Sequence, residues 1–175
     1  MIDEEIEKEI NVQINEELYS AYIYLSMAAD FRDKTLSGFA SWMEAQAEEE
    51  VGHALRLYRY LDERGGRIKL DSIDKPQMEW DSPLDAFEAA YEHEQHITGR
   101  INEIYELAEE KGDKATMNML DWFVEEQVEE EDSTDEIVQK LRMVEGNMHG
   151  ILQIDKDLEQ RGSVLLSGLA GSEEE

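Results

Sequence analysis

The sequence predicts an all-α chain: a four-helix bundle with one long crossover connection and a short fifth helix at the C-terminal end. Three observations predict it. Apolar residues recur in steps of three and four over four long stretches, the period of a single helical face. Only two prolines occur in 175 residues, and both fall in or beside one aperiodic stretch, 65–82. Gly65-Gly66, Gly112 and Gly146 stand where the periodic stretches break off.

The first helix is expected from about Asp3 to Arg32, with Ile6, Ile10, Ile14, Leu18, Ala21, Leu25 and Ala28 as its stripe. Glu17 lies on that stripe near mid-length, and Tyr24 follows two turns along the same side. A short turn around 33–38 leads to a second helix, from about Phe39 to Arg64, which must run antiparallel to the first. Phe39, Met43, Ala54, Tyr58 and Leu61 form its apolar stripe, and Glu50 and His53 share that face.

The stretch 65–82 has no helical period. A helix of about 28 residues is about 42 Å long, and about 18 extended residues reach about 59 Å. The stretch can therefore return along the bundle and start the third helix parallel to the second. Ser82-Pro83-Leu84-Asp85 is a strong helix start, with a capping serine, proline at the first position and an acid in the first turn. The third helix is expected to reach Lys111, with Phe87, Tyr91, Ile97, Ile101, Ile104 and Ala108 facing the core and Glu94 among them. The fourth runs from about Lys114 to Glu145 on Met117, Leu120, Val124, Gln127, Thr134, Val138 and Leu141, with Gln127 and Glu130 interrupting the stripe at mid-length. A fifth helix, about Met148 to Gln160, has too many apolar residues for a free tail and is expected to dock, with neighbouring subunits as one possible surface. One domain over 1–162 is expected, followed by a poorly ordered tail over 163–175.

Composition narrows the function. With 44 acids against 16 Lys plus Arg, the formal net charge is -28. Such a surface repels nucleic-acid phosphates and concentrates cations. Cysteine is absent, so disulfides and thiolate metal sites are excluded. No apolar run approaches the length of a membrane span, and the acidic N-terminus does not resemble a signal peptide. A cytoplasmic protein without membrane or nucleic-acid partners is expected.

Four helices thus place acids or amides on their core faces near mid-height: Glu17, Glu50 with His53, Glu94, and Gln127 with Glu130. Each match is weak alone in so acidic a chain, where a solvated helix face is the competing reading. Their coincidence is harder to dismiss. Buried carboxylates cost several kcal/mol per ion, and no Lys or Arg lies on these stripes at that height. Cations of higher charge would remove the cost, and carboxylates with one imidazole suit iron or manganese better than structural zinc. A dinuclear metal site is the favoured reading.

The residues Glu17-Leu18-Tyr19-Ser20, Glu49-Glu50-Val51-Gly52-His53, Tyr91-Glu92-His93-Glu94-Gln95 and Trp122–Glu131 resemble the non-haem prokaryotic ferritins, over about Val12 to Leu158. The resemblance implies the ferritin-like bundle and a ferroxidase centre that oxidises ferrous iron with dioxygen or peroxide. Glu17, Glu50 and His53 would then hold a first iron, with Glu50 bridging. Glu94 and Glu130 would hold a second, with Gln127 close by. A third iron site maps onto Glu49, Glu126, Glu129 and Glu130, and Tyr24 matches a tyrosine that hydrogen-bonds a ligand and can supply an electron. The resemblance also implies a hollow homo-oligomeric shell of about 24 subunits that stores ferric oxyhydroxide, and leaves the reductant partner unknown.

Departures from related families sharpen the expectation. Bacterioferritins carry a second Glu-x-x-His where this chain has Gln127-x-x-Glu130, and a haem-ligating methionine where it has Val51. No haem is expected. Animal ferritins line an iron channel with acids where this chain has Met117 and Leu120, which puts that route in doubt. His93 and His96 flank Glu94, and at least one must point away from it; His149 and the three tryptophans read as surface or packing. A rubrerythrin-like redox enzyme without storage, and a non-enzymatic acidic bundle, remain the other readings at this level.

Overall fold

The computed structural model describes residues 2–159. The end of the expected fifth helix and the expected tail over 163–175 lie outside the described residues.

Helix α1 (Glu4–Asp33) starts where the Asp3 carboxylate accepts from the Glu5 N–H at 2.9 Å, and its acidic first turn faces the positive end of the helix dipole. Helix α2 (Ser37–Glu63) follows a tight turn, beginning two residues before the expected Phe39. Helix α3 (Pro83–Lys111) starts on Ser82, whose hydroxyl accepts from the Asp85 N–H at 3.1 Å, and ends on Gly112 at φ 66, a left-handed cap that glycine adopts without a Cβ clash. Helix α4 (Lys114–Met143) is capped by Asp113 and stops two residues before the expected Glu145; α5 (Met148–Leu158) is capped by Asn147.

The crossover 65–82 has no regular structure and lies along α1 from end to end. The Asn11 amide donates to the Arg67 carbonyl and accepts from the Lys69 N–H (2.9 and 2.6 Å). Further along, the Ser26 hydroxyl donates to the Gln77 carbonyl at 2.6 Å, and Asp30 accepts from the Trp80 N–H at 3.3 Å. These polar rungs satisfy backbone groups that an aperiodic segment would otherwise leave unpaired. The segment therefore returns the length of the bundle, and α3 runs parallel to α2 as expected.

The core has two apolar halves. One gathers Tyr24, Phe31, Phe39, Trp42, Phe87, Val138 and Leu141; the other gathers Ile6, Ile10, Ile14, Leu57, Leu61, Ile101, Leu120 and Phe123. Between them lies a layer of buried polar side chains from all four long helices. Three expected stripe members face outward instead: Leu25, Tyr58 and Val124 are at least a third exposed, while Tyr24, Leu57 and Phe123 take the buried places. A strict step of three or four drifts around the helix over several turns, and the true buried face turns with it.

Helix α5 docks on its own chain. The α2 N-cap residue, Leu36, offers no side-chain acceptor, and the Asp155 carboxylate instead accepts from the Phe39 N–H at 2.9 Å. Ile151, Ile154 and Leu158 pack against the Phe39 half of the core. Gly38 permits this approach, because a Cβ there would lie 1.5 Å from the Asp155 carbonyl oxygen. Gly38→Ala is expected to cost about 1–3 kcal/mol. The change should appear as a lower urea midpoint with faster hydrogen exchange at the Phe39 amide; an unchanged midpoint would refute this seating.

Candidate metal centre

The polar layer is built from one short stretch of each long helix. Glu17 comes from α1, Glu50 and His53 from α2, Glu94 from α3, and Gln127 and Glu130 from α4. None of the six is more than 5% exposed. The i,i+3 spacing of Glu50 and His53 puts both on one face, with Glu50 Oε2 at 3.1 Å from His53 Nδ1.

Two triads share the imidazole. Single ligand atoms of Glu17, Glu50 and His53 lie within 4.8 Å of one another, and so do those of His53, Glu126 and Glu130. Glu94 belongs to neither triad. Its Oε1 accepts the hydroxyl of buried Tyr24, and its Oε2 accepts from the Gln127 amide at 3.2 Å. Of the remaining expected third-site residues, Glu49 and Glu129 are exposed and line a cavity of 140 Å³ with Glu126, Glu130 and Ser133.

Burial without compensating charge dominates the electrostatics. No Lys or Arg is among the buried residues described. Desolvation raises the Glu17 and Glu50 carboxyls well above the usual range, and neighbouring carboxylates add to it: Glu50 acts on Glu17, and Glu94 and Glu130 act on Glu50. Glu94 is raised by burial, while its bonds from Tyr24 and Gln127 oppose the rise. Burial, then the charges of Glu94 and Glu49, push Glu130 up to about 7. Burial and the adjacent Glu94 charge hold the Tyr24 phenol protonated. Glu17 Oε2, fully buried, has no hydrogen-bond partner. The amide oxygens of Gln13 and Gln46 in the same layer are also without partners, and a native fold rarely leaves buried acceptors unsatisfied. Multivalent cations suit this donor set, since oxygen ligands with a single imidazole would neutralise the carboxylates and occupy the orphaned lone pairs.

The ferritin-like domain model of the ferritin family matches residues 7–144. The chain belongs to the ferritin family. A bacterial non-heme ferritin of Bacteroides fragilis is 42% identical over 161 residues, which span 92% of this chain and 100% of the relative. That of Escherichia coli O6:H1 is 36% identical over 158 residues, 90% of this chain and 96% of the relative. The crystal structure of an open pore ferritin from Archaeoglobus fulgidus superposes with a TM-score of 0.90 at 48% identity, covering 91% of this chain and 98% of the other.

In this ferritin two further residues shape the centre that sequence reasoning missed. Gln13 donates to Glu17 Oε1 at 2.9 Å, and Gln46 donates to Glu130 Oε2 at 2.6 Å. Gln13 and Gln46 lie one turn before Glu17 and Glu50, so the i−4 spacing was the available signal. Both amides orient carboxylates without adding charge. The aromatic surround is also specific: the Trp122 ring meets His53 edge-on at 5.5 Å and Phe123 does so at 5.9 Å. Of the flanking histidines, His93 bonds Ser20 Oγ at 2.7 Å, with burial lowering its pKa to about 4, whereas exposed His96 approaches Glu16 at 3.4 Å. His149 is exposed.

Proposed function

We propose that this ferritin takes up ferrous ions at the buried carboxylate layer, oxidises them with dioxygen or peroxide, and stores the ferric product inside a homo-oligomeric shell. It is a ferroxidase and an iron-storage protein. The observation that supports this reading best is the convergence of Glu17, Glu50, Glu94, Glu130 and His53 in a layer where no buried Lys or Arg opposes them. A site with that many raised carboxyls gains from binding cations and losing protons together.

Glu17, Glu50 and His53 hold a first ferrous ion, and Glu94 and Glu130 a second, with Glu50 as the bridge and Gln127 beside it. A pair of metals about 3.5–4 Å apart is the usual spacing for such centres. Oxidation passes electrons from the ferrous pair to the oxidant, and hydrolysis of the ferric product releases protons to the carboxylates and then to water. Tyr24, bonded to Glu94, is placed to steady that ligand and to donate an electron. Glu49, Glu126, Glu129 and Glu130 form a third iron site.

The shell has about 24 copies. The protein works in the cytoplasm without haem; Val51 offers no axial ligand. Among the described residues no helix is long and apolar enough to cross a membrane. Aerobic loading with ferrous salt followed by size-exclusion chromatography tests storage. Ferric iron should co-elute with a large assembly, far beyond a few ions per chain. A monomer or dimer holding only a few irons would overturn storage while leaving oxidation intact.

A further inference from the structure

A second cavity, of 580 Å³, opens between α2 and α4 beside the carboxylate layer. Its α2 wall is one face of the helix, on which Glu49, Gly52, Arg56, Arg59 and Glu63 recur at steps of three and four. Met119, Trp122 and Glu126 of α4 form the opposite wall, and His53 lies at the inner side. Two guanidinium groups in one cavity are unusual for a chain of net charge -28. Four other arginines hold carboxylates: Arg32 with Glu44, Arg64 with Asp113, Arg100 with Glu9, and Arg142 with Glu88. Arg56 and Arg59 hold none among the described residues. Arg56 lies 4.0 Å over the Trp122 ring, an arrangement that orients the guanidinium plane and leaves its N–H edge unspent. Glu63 lines the same rim without forming an ion pair to either. The space over Gly52 is open, since a Cβ there would meet nothing within 4 Å.

The cavity is therefore two-ended. Carboxylates of Glu49 and Glu126 face it at the metal layer, and two unpaired guanidinium forks face it one to two turns away. We propose that this cavity is a binding site for a small tetrahedral oxyanion of the phosphate class, held by Arg56 and Arg59. Guanidinium forks match the oxygen pairs of phosphate and bind it more tightly than a lone ammonium would. The proposal that the anion then meets ferric ions leaving the centre rests on the storage reading above. Binding itself does not, because it needs only the arginines.

Calorimetric titration of the assembled, metal-free protein with inorganic phosphate in chloride buffer tests the site. Saturable binding near one phosphate per chain is expected. Arg56→Gln with Arg59→Gln should weaken it by at least about tenfold, whereas Arg142→Gln, which removes a positive charge from a distant ion pair, should leave it unchanged. Gly52→Leu fills the cavity from a helix position with open space and should block binding with both arginines intact, which covers the case of a misfolded arginine variant. No saturable binding, or an equal loss in Arg142→Gln, would overturn the site. Ferrous oxidation is measured separately, so a failure of the ferroxidase reading and a failure of this one give different results.

Discussion

Replacing Glu50 and His53 together with alanine is expected to abolish fast ferrous oxidation, lowering the initial aerobic rate by about 100-fold or more. The reason is geometric. Glu50 is the carboxylate placed between the Glu17–His53 group and the Glu94–Glu130 side of the layer, and His53 is the imidazole shared by both triads. Losing both leaves neither half with a nitrogen ligand and removes the proposed bridge. Slow oxidation in bulk solution remains, so the decisive reading is the early rise of ferric absorbance after rapid mixing. The bundle should survive the change, because the variant also removes a buried carboxylate whose charged form burial disfavours. An unchanged initial rate in a folded double variant would sink the ferroxidase centre as assigned.

The metal-free protein should lose stability as pH rises from about 5 to 8. Folding raises the Glu130 carboxyl from 4.5 to about 7, so between those values the folded chain keeps a proton that the unfolded chain has released. The folded state then binds more protons, and stability falls with rising pH until the group ionises in both states. Glu17, Glu50 and Glu94 shift in the same direction. Glu130 alone corresponds to about 3 kcal/mol. Surface repulsion at net charge -28 changes over the same range, so the informative comparison is with Glu130→Gln. That variant keeps an amide for Gln46 to meet and should show a flatter fall in unfolding midpoint between pH 5 and 8. A divalent cation should restore the wild-type midpoint at pH 8, because binding replaces the lost protons. An identical pH slope in Glu130→Gln would show that the carboxyl ionises normally.

These two effects have one origin, the placement of acids where apolar residues belong. That much was legible in the sequence. The residues Glu17, Glu50, His53, Glu94, Gln127 and Glu130 interrupt apolar stripes at mid-length, and helical periodicity alone puts each on the inner face. The crossover direction followed from length and extension, and the helix starts at Asp3 and Ser82 from capping chemistry. Less visible were side chains whose role depends on a distant partner. Asp155 caps a helix 116 residues away in sequence, and Gly38 is required only because the Asp155 backbone lies against it. The docking of α5 within its own chain depends on that contact, and no local pattern announces it.

Local spacing decides which side of a helix a residue occupies, because 3.6 residues make a turn whatever the surroundings. The sequence by itself therefore determined the helices, their order, the family and the set of inward-facing acids. The angular drift of each stripe, the sharing of His53 between two carboxylate pairs, the amides of Gln13 and Gln46, and the pairing of Arg56 with Trp122 were decided only by tertiary structure. Each of these is a contact between helices, set by how four long helices twist and pack against one another, and packing is a property of the whole chain rather than of any stretch within it.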